Sequence, residues 1–71
     1  MTTLVTYQHD QEVAESVWTV VHNLNTYPIV DVVVDHGEAR VKIIPKDVKI
    51  IDMNSCEIHF SQPRTGHARL V

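Results

Sequence analysis

The chain has 71 residues, a formal net charge of −3 from six Lys/Arg and nine Asp/Glu, and a single cysteine. This length predicts one domain, residues 1–71. One cysteine excludes a disulfide within the chain and a cysteine-rich zinc site. The basic residues are scattered, so we expect no nucleic-acid partner, and no apolar run approaches the ~20 residues of a membrane span, so we expect no membrane partner.

The small size of the chain also predicts that its stability depends on contacts with other protein subunits. A domain this short buries only about 60% of the surface that its unfolded chain exposes. Small domains usually gain further stability from disulfides, a bound metal or partner subunits. The composition argues against the first two, so partner subunits are the expected source of stability. The N-terminus has no basic region followed by an apolar signal core, so we expect synthesis in the cytoplasm of the producing cell.

Short segments rich in Val and Ile, spaced by turn residues, predict an all-β domain. The predicted strands, in chain order, are 4–8, 17–22, 29–35, 39–44, 48–53, 56–61 and 67–71. Segment 8–17 could form a helical turn, but it is too short to be stable alone, so we predict a loop or a strand extension there. Segment 62–66 is predicted as a loop. The expected fold is a small antiparallel β-sandwich or partly open barrel of about six to seven short strands.

Strand alternation predicts which side chains are buried. The predicted inward residues include Trp18, Val20 and His22, then Val30, Val32 and Val34, then Cys56, Ile58 and Phe60, and finally Ala68 and Leu70. Gly37 is predicted to supply a positive φ in the 36–38 turn. Asp52 and Asn54 are expected to bond local backbone in a hairpin turn.

Five histidines are the most conspicuous polar feature: His9, His22, His36, His59 and His67. None has the short spacing typical of metal ligands, so we expect no metal and no cofactor. Ligands converging from distant strands, or a ring of one histidine from each of several subunits, are the alternatives. The acidic residues do not match a calcium loop either.

His22 has a structural and a catalytic interpretation. Catalysis needs an oriented partner, and Cys56 is the only thiol. Because Cys56 alternates with Ile58 and Phe60, it is expected in the core, where thiols are usually inert. The favoured interpretation is that His22 hydrogen-bonds the loop backbone after Leu24 and fixes the shape of the loop.

The aromatic residues also have two interpretations. An exposed cluster could stack on sugar rings. The favoured alternative is that Trp18 and Phe60 anchor the core and that Tyr27 staples a loop.

The order of residues resembles a small β domain found in tail-fibre and related virion proteins of tailed bacteriophages. The matching residues are Tyr7, His9 and Gln11; Trp18, Val20, His22, Asn23 and Leu24; Pro28, Val30 and Val32; Asp35 and Gly37; Asp52 and Asn54; Ile58 and Phe60; and Gly66, Ala68 and Leu70. Asn25 stands where that family commonly has Gly, and Asn tolerates left-handed backbone. The charged stretch 40–49 also departs from the family's usual Val/Thr-rich strand.

The resemblance implies a non-enzymatic structural protein of the virion: an assembly module of the tail, fibre or baseplate, or a capsid decoration subunit. Its partners would be other virion proteins and copies of itself, as a trimer or hexamer. The residues expected to form the core and its loop are Trp18, His22, Asn23, Leu24, Pro28, Phe60 and Gly66. The residues expected on a docking or ligand surface are Asn25, Tyr27, Gln62 and Val33. A receptor-binding module for host surface glycans is the alternative function.

Overall fold

A computed structural model describes residues 6–71. Five strands form one antiparallel sheet that is not closed: β1 (Tyr7–Val21), β2 (Val30–His36), β3 (Ala39–Ile43), β4 (Asp47–Asp52) and β5 (Ser55–Leu70). The all-β prediction is therefore confirmed. Across these residues, no helix has the length and apolar character needed to cross a membrane.

Strand β5 is the centre of the sheet. It pairs along one edge with β1, from Tyr7↔Leu70 to Val21↔Ser55. Its other edge is divided, because β4 pairs with its first half and β2 with its second half. Strand β3 then pairs with the far side of β2.

Two pairs of predicted strands are each a single long strand, so the prediction of six to seven short strands is wrong. Residues 8–17 continue β1, and residues 62–66, predicted as a loop, continue β5. The register between the two strands breaks on either side of the Glu15↔Arg64 pair. Such bulges let a strand bend without ending. Residues 4 and 5 of the first predicted strand lie outside the described residues.

Pro63 shows how β5 bends without ending. Between the pairs Val17↔His59 and Glu15↔Arg64, β5 has four residues where β1 has one. Proline cannot donate to a strand ladder and is tolerated at bulges. Pro63 therefore lies where the ladder is interrupted, and it does not terminate the strand.

The core draws side chains from both halves of the bent sheet. Its buried members are Trp18, Val20, Val32, Val34, Cys56, Ile58, Phe60, Ala68 and Leu70. Trp18 and Phe60 pack with ring centroids 4.6 Å apart. The predicted inward positions of these residues are confirmed, because strand alternation holds on each side of the bulges.

Two glycines are required by the backbone. Gly37 has φ +62° in the β2–β3 turn, as predicted. Gly66 has φ +151°, and a Cβ there would overlap the carbonyl oxygen of Val33 and lie 2.7 Å from the Cα of Val34. Gly66 is thus a strand residue at which β2 and β5 approach too closely for a side chain.

Candidate functional site

The β1–β2 connection, residues 22–29, is fastened onto the β4–β5 turn, and we call it the docked loop. The backbone N–H groups of His22 and Asn23 donate to the carbonyl oxygen of Asn54, at 2.8 and 3.1 Å. Asn25 N–H donates to Asn54 Oδ1 at 2.9 Å, and Thr26 N–H donates to the carbonyl of Met53 at 2.9 Å. Four hydrogen bonds therefore hold this loop in one conformation.

The side chain of His22 hydrogen-bonds the backbone of the docked loop. Its side chain is buried, and its Nδ1 accepts a hydrogen bond from the Leu24 N–H at 3.1 Å. A bond from His22 to the loop backbone was predicted after Leu24; the structure places it at the N–H of Leu24 itself. Because Nδ1 is an acceptor, the neutral ring carries its proton on Nε2. Within residues 6–71, Nε2 has no hydrogen-bond partner.

Backbone conformation explains the two asparagines of the docked loop. Asn23 and Asn25 have φ of +55° and +54°. Asn is among the few residues that adopt this left-handed region readily. Asn25 thus adopts the left-handed backbone that it was expected to tolerate. Leu24 packs against the core between them, and Pro28 is half-buried.

The β4–β5 turn is itself braced by Asp52. Asp52 Oδ1 accepts hydrogen bonds from the Asn54 N–H at 2.7 Å and from the Ser55 hydroxyl at 3.0 Å. These bonds, the Asn54 backbone N–H first, lower the pKa of Asp52 below its ordinary value. The predicted turn chemistry is confirmed for Asp52, whereas the Asn54 side chain bonds the distant Asn25 N–H and not the local backbone.

Large apolar side chains project into solvent beside this fixed framework. Tyr27 is 67% exposed, Ile29 is 75% exposed and Val71 is 40% exposed. Ile29 and Val71 exchange two backbone hydrogen bonds of 3.0 Å, so their side chains lie on the same face. We call Tyr27, Ile29 and Val71 the loop-end patch.

Tyr27 corrects one prediction. It was expected to staple the loop, but most of its side chain is exposed. The loop is held by backbone hydrogen bonds and by His22 and Asn54, so the ring is not needed to hold it.

The four residues predicted for a docking surface do not form one surface. Asn25 and Tyr27 lie on the docked loop, whereas Gln62 lies in the bulged part of β5. Val33 lies on the outer face of the sheet, between His67 of β5 and Lys42 of β3. The sequence analysis did not select Ile29 and Val71, although alternation already placed Ile29 on the face opposite Val30.

The described residues form no metal-binding cluster, and the thiol of Cys56 lies in the core. Residues 6–71 contain no group of three or more His, Cys, Asp or Glu side chains able to hold a metal ion. Cys56 is fully buried and is a free thiol, and burial raises its pKa. A thiol with this environment is a poor nucleophile.

An open polar hollow of about 380 Å³ lies at the opposite end of β2 from the docked loop. It is lined by Asp10, Gln11, Glu12, Asp35, Arg40, Thr65, Gly66 and His67. The Thr65 hydroxyl donates to Asp35 Oδ2 at 3.1 Å, and Arg40 Nε lies 3.7 Å from Asp35 Oδ1. Its walls hold charges of both signs and lack an apolar pocket of the kind that usually binds small molecules.

Comparison of the chain with protein-family models, with curated proteins and with solved structures gives no match. Function is therefore inferred from the geometry of residues 6–71 and from the sequence pattern.

Proposed function

We propose that this protein is a non-enzymatic assembly module that docks onto a larger structure through its loop-end patch, and that the structure is the virion of a tailed bacteriophage. The observation that carries the docking proposal is a rigid loop that displays exposed Tyr27 and Ile29. The resemblance of segment 18–24 and the residues after it to virion β domains supports the phage setting.

Pre-organisation is the physical reason for choosing this surface. Binding costs free energy when loops and side chains must be ordered. The docked loop is already ordered by its bonds to Asn54 and Met53. Tyr is among the residues that most often dominate binding energy at interfaces. Burying Tyr27 and Ile29 against a partner would therefore be favourable, because the loop would lose little further conformational entropy on binding.

The bent sheet itself suits this role. The core takes side chains from β1, from β2 and from β5 on both sides of its bulge. We infer a small two-layer sandwich rather than a closed barrel. Nuclear Overhauser contacts between Trp18 and the methyl groups of Val34 would support two packed layers. A closed ladder between β1 and β3 in solution would overturn the sandwich.

The test of function is incorporation into particles. The gene is deleted from its phage and supplied in trans, and the protein in purified virions is quantified by mass spectrometry. Wild-type protein is expected at a fixed copy number, and the Tyr27→Ala/Ile29→Asp variant at about a tenth of it or less, as a hot-spot loss predicts. Ile44→Asp is the matched control, because Ile44 is 94% exposed but lies outside the patch. Purified virions without the wild-type protein would overturn the proposal.

A second candidate function is glycan recognition, which the exposed Tyr27 ring beside Asn25 favours. An aromatic face can stack on a sugar, and an amide can bond its hydroxyls. A host-glycan array probed with the protein distinguishes the two functions. Glycan recognition predicts binding that Tyr27→Phe retains and Tyr27→Ala loses, whereas docking alone predicts no binder.

A further inference from the structure

Within residues 6–71, the sheet order β1-β5-β2-β3 ends in two strands that each have one open edge. Strand β1 pairs only with β5, and β3 pairs only with β2. Strand β4, which lies off this order, also pairs only with β5, but it carries charges of both signs. Open edges present unpaired backbone groups and are natural sites for adding a strand from another chain.

The two edge strands carry opposite charge. Strand β1 contains Asp10, Glu12 and Glu15 and no Lys or Arg. None of these three carboxylates forms an ion pair with the residues described here. Strand β3 contains Arg40 and Lys42 and no Asp or Glu.

The two cations of β3 keep donors available. Lys42 Nζ lies 3.2 Å from Asp31, and Arg40 Nε lies 3.7 Å from Asp35, but the two cationic side chains are 72% and 70% exposed. An ammonium has three donors and a guanidinium five. Each cationic group can therefore bind a second carboxylate in addition to its partner within the chain, Asp31 or Asp35.

The geometry places these charges on one face. Asp10 pairs with His67, His67 with Val33, and Val33 with Lys42, and directly opposed residues in a ladder share a face. Asp10 and Lys42 thus both lie on the outer face, at opposite edges of the same sheet. The regular part of β1, from Tyr7 to Gln11, has five residues, as does β3.

Resting on the proposed assembly function, we propose that β3 of one copy adds to β1 of a second copy in antiparallel orientation, which extends the sheet head to tail. Strands already alternate in direction across the sheet, so a copy rotated about an axis along the strands continues that alternation. Asp10 and Glu12 then lie beside Arg40 and Lys42 of the neighbour. Pairing β1 with β1 would oppose carboxylates, and β3 with β3 would oppose cations, so the contact is between unlike edges.

An unlike-edge contact has a consequence for stoichiometry. In the proposed contact each copy gives β1 to one neighbour and β3 to another, so association forms a ring when the rotation closes and a filament when it does not. This contact by itself does not form a two-fold dimer.

Charge reversal in sedimentation velocity tests the contact. Asp10→Lys/Glu12→Lys and Arg40→Glu/Lys42→Glu are each expected to sediment as monomers, with association weakened about tenfold or more. An equimolar mixture of the two is expected to assemble again with the two variants alternating, because β1 of each variant is complementary in charge to β3 of the other. The protein with all four reversals is expected to recover the wild-type mass.

Lys46→Glu/Lys49→Glu is the matched control, since it changes net charge equally away from β1 and β3. The inference is overturned if wild type is monomeric at all concentrations, if the control disrupts association as strongly, or if the mixture of the β1 and β3 variants fails to associate. Far-UV circular dichroism checks the fold of each variant, and the β1 and β3 variants test the contact independently. The Tyr27→Ala/Ile29→Asp variant should self-associate normally, so loss of self-association and loss of virion incorporation are separable outcomes.

Discussion

The indole Nε1 of Trp18 donates a hydrogen bond of 3.1 Å to the carbonyl oxygen of Arg64, 46 residues away in the chain. The same N–H also donates to the carbonyl of Glu15 at 3.1 Å. Glu15 and Arg64 are the pair at which the register between β1 and β5 breaks on both sides. Trp18 therefore fills the core and clamps the bulge that bends the sheet.

Trp18→Ala is expected to cost about 3–5 kcal/mol of unfolding free energy, as for other buried large aromatics, and to leave the domain largely unfolded. Trp18→Phe keeps a ring against Phe60 but leaves two carbonyls without this donor, so a loss of about 1–3 kcal/mol is expected. Urea unfolding monitored by circular dichroism measures both. A Trp18→Ala protein as stable as wild type would contradict the clamp.

Gly66→Ala is expected to destabilise the protein more than Gly37→Ala. Both residues have positive φ, but a Cβ at Gly37 meets no atom within 4 Å, whereas one at Gly66 overlaps the Val33 carbonyl. Backbone must move to admit the methyl group at Gly66, and the β2–β5 ladder is lost with it. Thermal unfolding of the two variants compares them directly, and equal melting temperatures would show that β2 and β5 are further apart.

His22 is expected to be the Nε2–H tautomer. Its Nδ1 accepts the Leu24 N–H, and an acceptor nitrogen carries no proton. Long-range ¹⁵N–¹H correlation spectra distinguish the tautomers by the shifts of the two ring nitrogens. A protonated Nδ1 at neutral pH would mean that the docked loop is held in some other way.

The hydrogen bonds of Asp52 predict that the unfolding free energy falls in acid. Its pKa is lowered in the folded state by hydrogen bonds from Asn54 and Ser55. A carboxyl with a depressed folded pKa stabilises the protein above its unfolded pKa, about 3.9, and this contribution is lost as pH falls through the folded value. Asp52→Asn should therefore show a smaller drop in unfolding free energy below about pH 4 than wild type. Parallel slopes in that range would show that Asp52 is not braced.

Strand periodicity was sufficient to predict the inward positions, and local side-chain chemistry was sufficient to predict the turns. Trp18, His22 and Cys56 are buried as alternation predicts, because alternation depends only on the strand backbone and persists between bulges. The turn at Asp52 and Asn54 follows from side-chain chemistry that is local in sequence.

Strand continuity and the site were not predictable in the same way. The bulges around Glu15 and Pro63 resemble breaks in a sequence pattern, and only the Trp18 clamp, a contact between distant segments, shows that the strands continue through them. Exposure of Tyr27 depends on Asn54 holding the loop from another strand. Neither contact has a local signal.

The position of β5 has a consequence during synthesis on the ribosome. Strand β2 pairs with the second half of β5, through residues 66–70, and β1 pairs with β5 from end to end. A nascent chain that stops near residue 60 can form the β2–β3 hairpin but has no surface on which to place it. Contacts as distant as Tyr7 with Leu70 also give this small domain a high contact order, which slows folding. The docked loop, whose Ile29 exchanges backbone hydrogen bonds with Val71, should therefore be completed only after translation has reached residue 71.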